Sequence, residues 1–317
     1  MSLIISFLIL LFSIAPMRGN EASFGYIVHS TVNIGDDIQS LAVRRLLPPD
    51  AVGIDREQVH EFSCPAKVFT VISGWFMHHR NGYWDLPTPP PIQSWPPSSK
   101  IHPFFISVHF TDTLFPALFT EENIEYLKEY GPIGARDLFT LEELQKRGIP
   151  SYFSGCLTLT LDNPLKKRNN LIYLVDVDDE TANYVRSKTT LPVVRLTHGQ
   201  PVLQLLKPEY RLKYAEHFLD KYRQCKCVVT TRLHAALPCL AFETPVLLIS
   251  PTRQGTVDPR FPGLWELTRH CYKEELLAGA VDFDFDHPTE NPKGYIAIRE
   301  RLIQTMADWV RHMNLSK

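Results

Sequence analysis

The chain has 317 residues, 44% hydrophobic and 11% aromatic, with a formal net charge of −2. That length allows one large or two medium domains, the composition supports a sizeable core and excludes a disordered chain, and the near-neutral charge gives no reason to expect a nucleic-acid partner. Proline (25) outnumbers glycine (15), so many connections are stiff.

Leu3 to Ala15 is an almost wholly apolar run followed by Pro16, Arg18 and Gly19. It is too short for an ordinary spanning helix and suits the apolar region of a signal peptide. Residues 1–22 are therefore expected to be a signal or anchor segment, which directs the chain to the secretory lumen or, if uncleaved, holds it to a membrane. The folded part begins with Phe24–His29, a strand. Asn33-Ile34-Gly35-Asp36-Asp37 follows, and then Ile38, Leu41, Ala42, Leu46 and Leu47 at helical spacing. Gly35 permits the turn from strand to helix, and Asp36 is a natural N-cap. A second strand at Val68–Ile72 ends at Ser73-Gly74-Trp75-Phe76, where a glycine lets a ligand approach the backbone.

Residues 77–102 read as an irregular loop carrying His78, His79, Trp84 and a proline run, with aromatics suited to contacting a sugar. The adjacent histidines do not have metal-ligand spacing on a helix face. Phe104–His109 is the next strand, and Glu121–Glu129 a helix. Arg136-Asp137 precedes another helix, about Leu138 to Arg147, with Asp137 as its cap and Arg136 facing the same sheet edge. Gly148-Ile149-Pro150 ends it, and Ser151–Cys156 gives a further strand and turn.

Asp162–Lys167 is the domain boundary, dividing 23–162 from 163–317. After it the alternation restarts: strand Leu171–Val175, helix Glu180–Lys188, strand Val193–Leu196, helix Glu209–Arg223. Cys227-Val228-Val229 is a buried strand leading into Thr230-Thr231-Arg232-Leu233-His234, with Thr231 the expected N-cap of a helix that Pro238 should kink. Val246–Ile249 completes a strand–helix–strand unit. The chain closes with a helix over about Ile296 to Met313. Two successive series of this kind predict an α/β chain of two Rossmann-like domains, each on a parallel sheet, facing one another across a cleft. The six cysteines contain no Cys-x-x-Cys pair and read as free thiols or, in an oxidising compartment, a disulfide or two; no metal site is expected.

Ligands of such sheets bind beyond the carboxyl ends of the strands. Arg232 and His234 thus stand where a helix N-terminus, a guanidinium and an imidazole can converge on an anion. The bland alternative is an Arg and a His capping a buried junction.

Three motifs in this order, Asn33-x-Gly35-Asp36, Arg136-Asp137 and Thr231-Arg232-Leu233-His234, resemble the polysaccharide pyruvyl transferases. The resemblance spans most of residues 24–250 and departs from the family at the reduced turn Ser73-Gly74-Trp75-Phe76. It implies a GT-B-like fold with an acceptor-side first domain and a donor-side second domain. The implied reaction takes pyruvate from phosphoenolpyruvate and places it across two hydroxyls of a saccharide as a ketal, releasing phosphate. In the family the Arg-Leu-His element is associated with donor binding and the acid. On that basis Thr231, Arg232, Leu233 and Arg136 are expected at the donor, and Asn33, Gly35, Gly74 and Trp75 at the acceptor. His234 is the general acid, as an imidazolium, and Asp36 or Asp37 orients or deprotonates the sugar hydroxyl. Phosphoenolpyruvate is a co-substrate; no cofactor or metal is needed because protein cations can cover its charge. A GT-B nucleotide-sugar glycosyltransferase shares this architecture, and an inactive glycan-binding protein of the secretory pathway is a further alternative.

Overall fold

The structure, a computed structural model, describes residues 23–76, 95–165, 167–253, 255–256 and 258–315. The expected targeting segment and most of the 77–102 loop, including His78, His79 and Trp84, lie outside the described residues. Among the described residues no helix is long and apolar enough to cross a membrane. All six cysteines are free thiols, five of them buried.

Two parallel sheets organise the chain. The first has strands β1 (Ser23–Val28), β2 (Val52–Asp55), β3 (Val68–Phe76), β4 (Ile101–Phe110), β5 (Ile133–Ala135) and β6 (Ser151–Phe153), in the order β2-β1-β3-β4-β5-β6. The second has β7 (Ile172–Val175), β8 (Val193–Leu196), β9 (Cys227–Thr230), β10 (Val246–Ile249) and β11 (Arg269–Cys271), in the order β11-β10-β9-β7-β8. Helices α1 (Ile34–Arg44), α2 (Phe115–Leu118), α3 (Glu121–Glu129), α4 (Leu138–Gln145), α5 (Asp179–Ser187), α6 (Pro208–Gln224), α7 (Leu233–Ala241), α8 (Lys273–Leu277) and α9 (Tyr295–Leu315) make the connections and cover the sheets. The continuous apolar runs of β7, β9 and β10 are fully buried, as strands covered on both faces must be.

Several local expectations change. Strand β3 does not stop at Ile72: Gly74, at φ +106°, absorbs a register shift against β4 and lets pairing continue to Phe76. The cap of α1 is Asn33, whose side chain accepts from the Gly35 N–H at 3.0 Å. Asp36 instead sits inside the first turn, accepting from Thr31 Oγ1 at 2.7 Å and Asn33 Nδ2 at 3.2 Å. Thr231 does not cap α7 either. Arg232 occupies the N-cap, its N–H held by Thr230 Oγ1 at 2.9 Å, while the Thr231 hydroxyl donates to the Asp176 carbonyl. Pro238 lies within α7, which runs as one helix from Leu233. The expected cap of α4 is present, with Asp137 accepting from Thr140 N–H at 2.9 Å.

Each sheet reverses its strand order once, between β1 and β3 and between β7 and β9. These are the positions at which an open parallel sheet leaves a crevice at its carboxyl edge. The two edges are stitched together there. Ile34 N–H donates to the His198 carbonyl at 2.9 Å, and Gln200 N–H to the Val32 carbonyl at 2.7 Å. Beside this bridge, Arg211 of α6 meets Asp37 of α1 through two bonds of 2.8 Å. Helix α9 returns to the first sheet: its buried Ile298, Leu302 and Met306 join the core, and Trp309 stacks on Phe104 with ring centres 4.8 Å apart. Ile296 and Ile303, on the same helix, are exposed.

Candidate functional site

The two reversal points face one cavity of about 220 Å³. From the first sheet it receives Asn33 and Asp36 after β1, Trp75 at the end of β3 and Arg136 after β5. From the second it receives Thr231 and Arg232 after β9, and Leu233 and His234 at the start of α7. Residues drawn from three separate motifs therefore share one enclosure. Gly35 and Gly74 do not line it. Gly74 backs onto His29, whose Nε2 lies 3.4 Å from where its Cβ would be.

The cations are held from behind. Arg232 donates through Nε to Asp176 Oδ2 at 2.7 Å. Asp176 also accepts from the His198 N–H at 3.1 Å and adopts φ +53°, a left-handed conformation that costs energy in a non-glycine residue. Arg136 is 1% exposed, and its Nε lies 3.5 Å from Asp137 Oδ2 without a hydrogen bond. Asp137 is occupied elsewhere, by His109 Nδ1 at 2.7 Å and the α4 cap. A buried guanidinium so loosely paired is suited to an incoming anion, because its desolvation is not offset within the protein.

His234 is half-buried, and its Nε2 is enclosed without a partner. Burial, then the Arg136 charge beside it, hold its pKa well below the ordinary imidazole value, against the opposing pull of Asp36. The imidazolium expected from the sequence is thus disfavoured in the unliganded protein. Asp37 separates from Asp36: it points to Arg211 and stays out of the cavity.

Four cavity residues were not anticipated, two of them polar. His198, after β8, is 1% exposed, bonds Tyr222 Oη through Nε2 at 2.8 Å, and is pushed down to about 4 by burial. Arg260 comes from the segment after β10, with Pro251 and Phe261. Nothing in the periodicity marks His198. Arg260 lies in the connection that leaves the carboxyl end of β10, eleven residues past Ile249, too far along for the strand itself to mark it.

Gly35 has a different role from the one expected. Its φ is not in the left-handed region, so the turn does not need glycine. A Cβ there would come within 3.1 Å of His198 Nδ1 and Asn33 Oδ1 and 3.2 Å of His234 Cβ. Gly35→Ala is accordingly expected to cost about 1–3 kcal/mol of stability by overpacking. It should also slow turnover by displacing His234; denaturant unfolding and product formation measured on one sample check both, and an alanine variant of wild-type stability and rate would refute the packing argument.

Among the described residues no group of three or more His, Cys, Asp or Glu side chains is placed to hold a metal ion. No curated protein matches the chain. Among solved structures, S. aureus MnaA in its co-structure with UDP is 12% identical over 92% of this chain and 97% of that one, with a TM-score of 0.46. The UDP-GlcNAc 2-epimerase of Methanocaldococcus jannaschii, in complex with UDP-GlcNAc and UDP, is 11% identical over 90% and 99%, also at 0.46. The profile described as polysaccharide pyruvyl transferase matches residues 33–253, which takes in Asn33, Asp36, Trp75, Arg136, Arg232 and His234. The chain belongs to the polysaccharide pyruvyl transferase family.

Proposed function

We propose that this protein transfers pyruvate from phosphoenolpyruvate to two hydroxyls of a terminal saccharide, forming a ketal and releasing phosphate. The observation that carries the reading is the meeting of Arg136 from one sheet with Arg232 and His234 from the other in a single cavity. A phosphate and a carboxylate on one small molecule call for guanidiniums and a helix N-terminus at close quarters. Holding both ends also orients the enol carbon for attack.

In this reading one sugar hydroxyl forms a bond to carbon 2, its proton passing to the phosphate group that departs, while carbon 3 takes the proton carried by His234. The carbon–oxygen bond to phosphate then breaks, releasing hydrogen phosphate, and the second hydroxyl closes on carbon 2, losing the proton that replaces the one His234 gave. Asp36, fixed by Thr31 and Asn33, is positioned to orient the hydroxyl or accept that proton. Trp75 and Asn33 would form the acceptor wall. The apolar run Leu3–Ala15 supports a secretory setting for the reaction.

Phosphate release from phosphoenolpyruvate, measured against a panel of terminal galactosides, glucosides and mannosides, tests the proposal. Sugar transfer from a nucleotide donor with no phosphoenolpyruvate turnover would replace it. Arg232→Lys gives a finer test. Asp176 takes the Nε, so donor contact falls to the two terminal nitrogens, and an ammonium cannot serve Asp176 and the donor as a fork does. Donor affinity should drop by about 1.5–3 kcal/mol, roughly ten- to a hundredfold, with acceptor affinity much less affected. Calorimetric titration with phosphoenolpyruvate decides, and wild-type affinity in the lysine variant would remove the donor assignment.

A further inference from the structure

Arg260 lies beyond the residues that match the family profile, yet it lines the same cavity. Its Nε donates to Asp258 Oδ1 at 2.9 Å, and its guanidinium carbon lies 4.9 Å from the centre of the Trp75 ring. Trp75 is itself fixed: the indole N–H donates to Thr111 Oγ1, and its carbonyl accepts from Arg56 at 2.7 Å. Arg260 therefore starts from the second sheet's segment after β10 and rests against the first sheet's wall.

The segment that carries it is built to stay there. Phe261 N–H donates to the Asp258 carbonyl at 3.0 Å, and Leu138 N–H at the start of α4 donates to the Pro262 carbonyl at 2.9 Å. Gly263, at φ +87°, presses so closely on α4 and β6 that a Cβ would come within 2.9 Å of Leu138 and 2.8 Å of Phe153. The result is a cation held by a carboxylate behind and an aromatic face below, with its charge directed at an enclosed space. Arg232 is likewise backed by a carboxylate, that of Asp176.

We propose that Arg260 is the third donor-binding cation, meeting the anionic groups of phosphoenolpyruvate from the Trp75 wall while Arg232 meets them from the start of α7. The inference rests on the phosphoenolpyruvate reading. The charges are complementary: a phosphate carries roughly 1.5–2 negative charges near neutrality and the carboxylate one more, and Arg260 lines the same cavity as Arg136 and Arg232. A stacked, ion-paired arginine is also already ordered, so little rotamer freedom is lost when it engages the ligand.

The test uses the full chain with Arg260→Gln and Arg260→Lys, titrated with phosphoenolpyruvate by calorimetry, with the thermal midpoint of each unliganded variant as the folding control. The glutamine variant should bind the donor roughly ten- to a hundredfold more weakly, and the lysine variant should fall between it and wild type because it keeps the charge but loses the fork and the stack. Saccharide affinity should change much less in both, and only through the Trp75 face that Arg260 covers. If the glutamine variant does not fold, the lysine variant decides alone. Wild-type donor affinity in a folded variant overturns the role of Arg260 and leaves the donor reading standing. A wild-type protein that does not bind phosphoenolpyruvate overturns both.

Discussion

His234→Ala is expected to lower turnover by roughly 100- to 10,000-fold, the usual cost of removing a general acid or base, while leaving the fold intact and weakening donor binding far less than turnover. The structural reason for the intact fold is specific. His234 Nε2 has no partner within the protein, so an alanine strands no hydrogen-bonding group. The backbone of α7 begins at Leu233 and is capped through Arg232 and Thr230, neither of which is touched. Phosphate release and circular dichroism on one preparation provide the check. A variant that unfolds, or one that turns over normally, would end the assignment.

The depressed pKa of His234 adds a pH signature. In the unliganded protein the imidazole is neutral near pH 7, because burial and Arg136 oppose its charge. A bound trianion reverses the sign of that field and favours the protonated ring. Donor binding near neutrality should therefore take up a proton, visible as a calorimetric enthalpy that depends on the buffer's ionisation heat. For the same reason kcat/KM for the donor should rise as pH falls below 6.5, since the free protein must bind a proton to become competent. His29, His109 and His198 are also held below the ordinary value by burial. Their unfolded forms protonate first, near 6.5, so the stability they contribute is present above that pH and declines as pH falls toward about 4. The rate increase is thus to be read between roughly pH 5 and 6.5, where enough stability remains.

Most strands of the second sheet were legible: Val246–Ile249 is an unbroken apolar run with nothing else it can become, and it and Val193–Leu196, interrupted only by Arg195, match to the residue. Strands β2 and β11 were not, being three or four residues of mixed polarity that pair only because a long neighbour is already in place. The cavity was legible through its charges. Arg136, Arg232 and His234 stand immediately beyond strands, where residues cannot help facing the sheet edge. What local sequence could not decide was which of two like neighbours faces the ligand. Asn33 and Asp36 can each cap a helix, and the choice is made by the Thr31 hydroxyl and the bridge to Gly199. Asp36 and Asp37 are adjacent acids, and only an arginine 174 residues away sorts them into a cavity residue and a buried counter-ion. Gly35 reads as a turn glycine until two histidines from the other half are packed against it.

That buried counter-ion carries the second large expected effect. Arg211 donates to both Asp37 oxygens at 2.8 Å, to the Thr31 carbonyl at 2.7 Å and to the Leu203 carbonyl at 2.9 Å, and neither side chain is more than 4% exposed. Arg211→Ala leaves a carboxylate in the interior with nothing to balance it, a loss of about 3–5 kcal/mol for a pair broken from one side. The variant's deficit should depend on pH in a definite direction. Burial already pushes Asp37 up to about 7, even with Arg211 pulling the other way. Without that pull the folded pKa rises further, so the interior carboxyl can escape its charge by keeping a proton. A carboxyl whose folded pKa exceeds its unfolded value stabilises the fold at low pH and ceases to do so as pH rises through the folded pKa. The gap between variant and wild type should then be smaller at pH 6 and widen between pH 7 and 9, as measured by urea unfolding at each pH. Asp37→Asn in the same background should abolish the widening, because an amide has no proton to lose. Because Thr31 also anchors Asp36, the folded fraction of Arg211→Ala should show reduced turnover as well. A deficit that is small, or equal at pH 6 and pH 9, would show that the Arg211–Asp37 pair does not fasten the two sheets around the cavity.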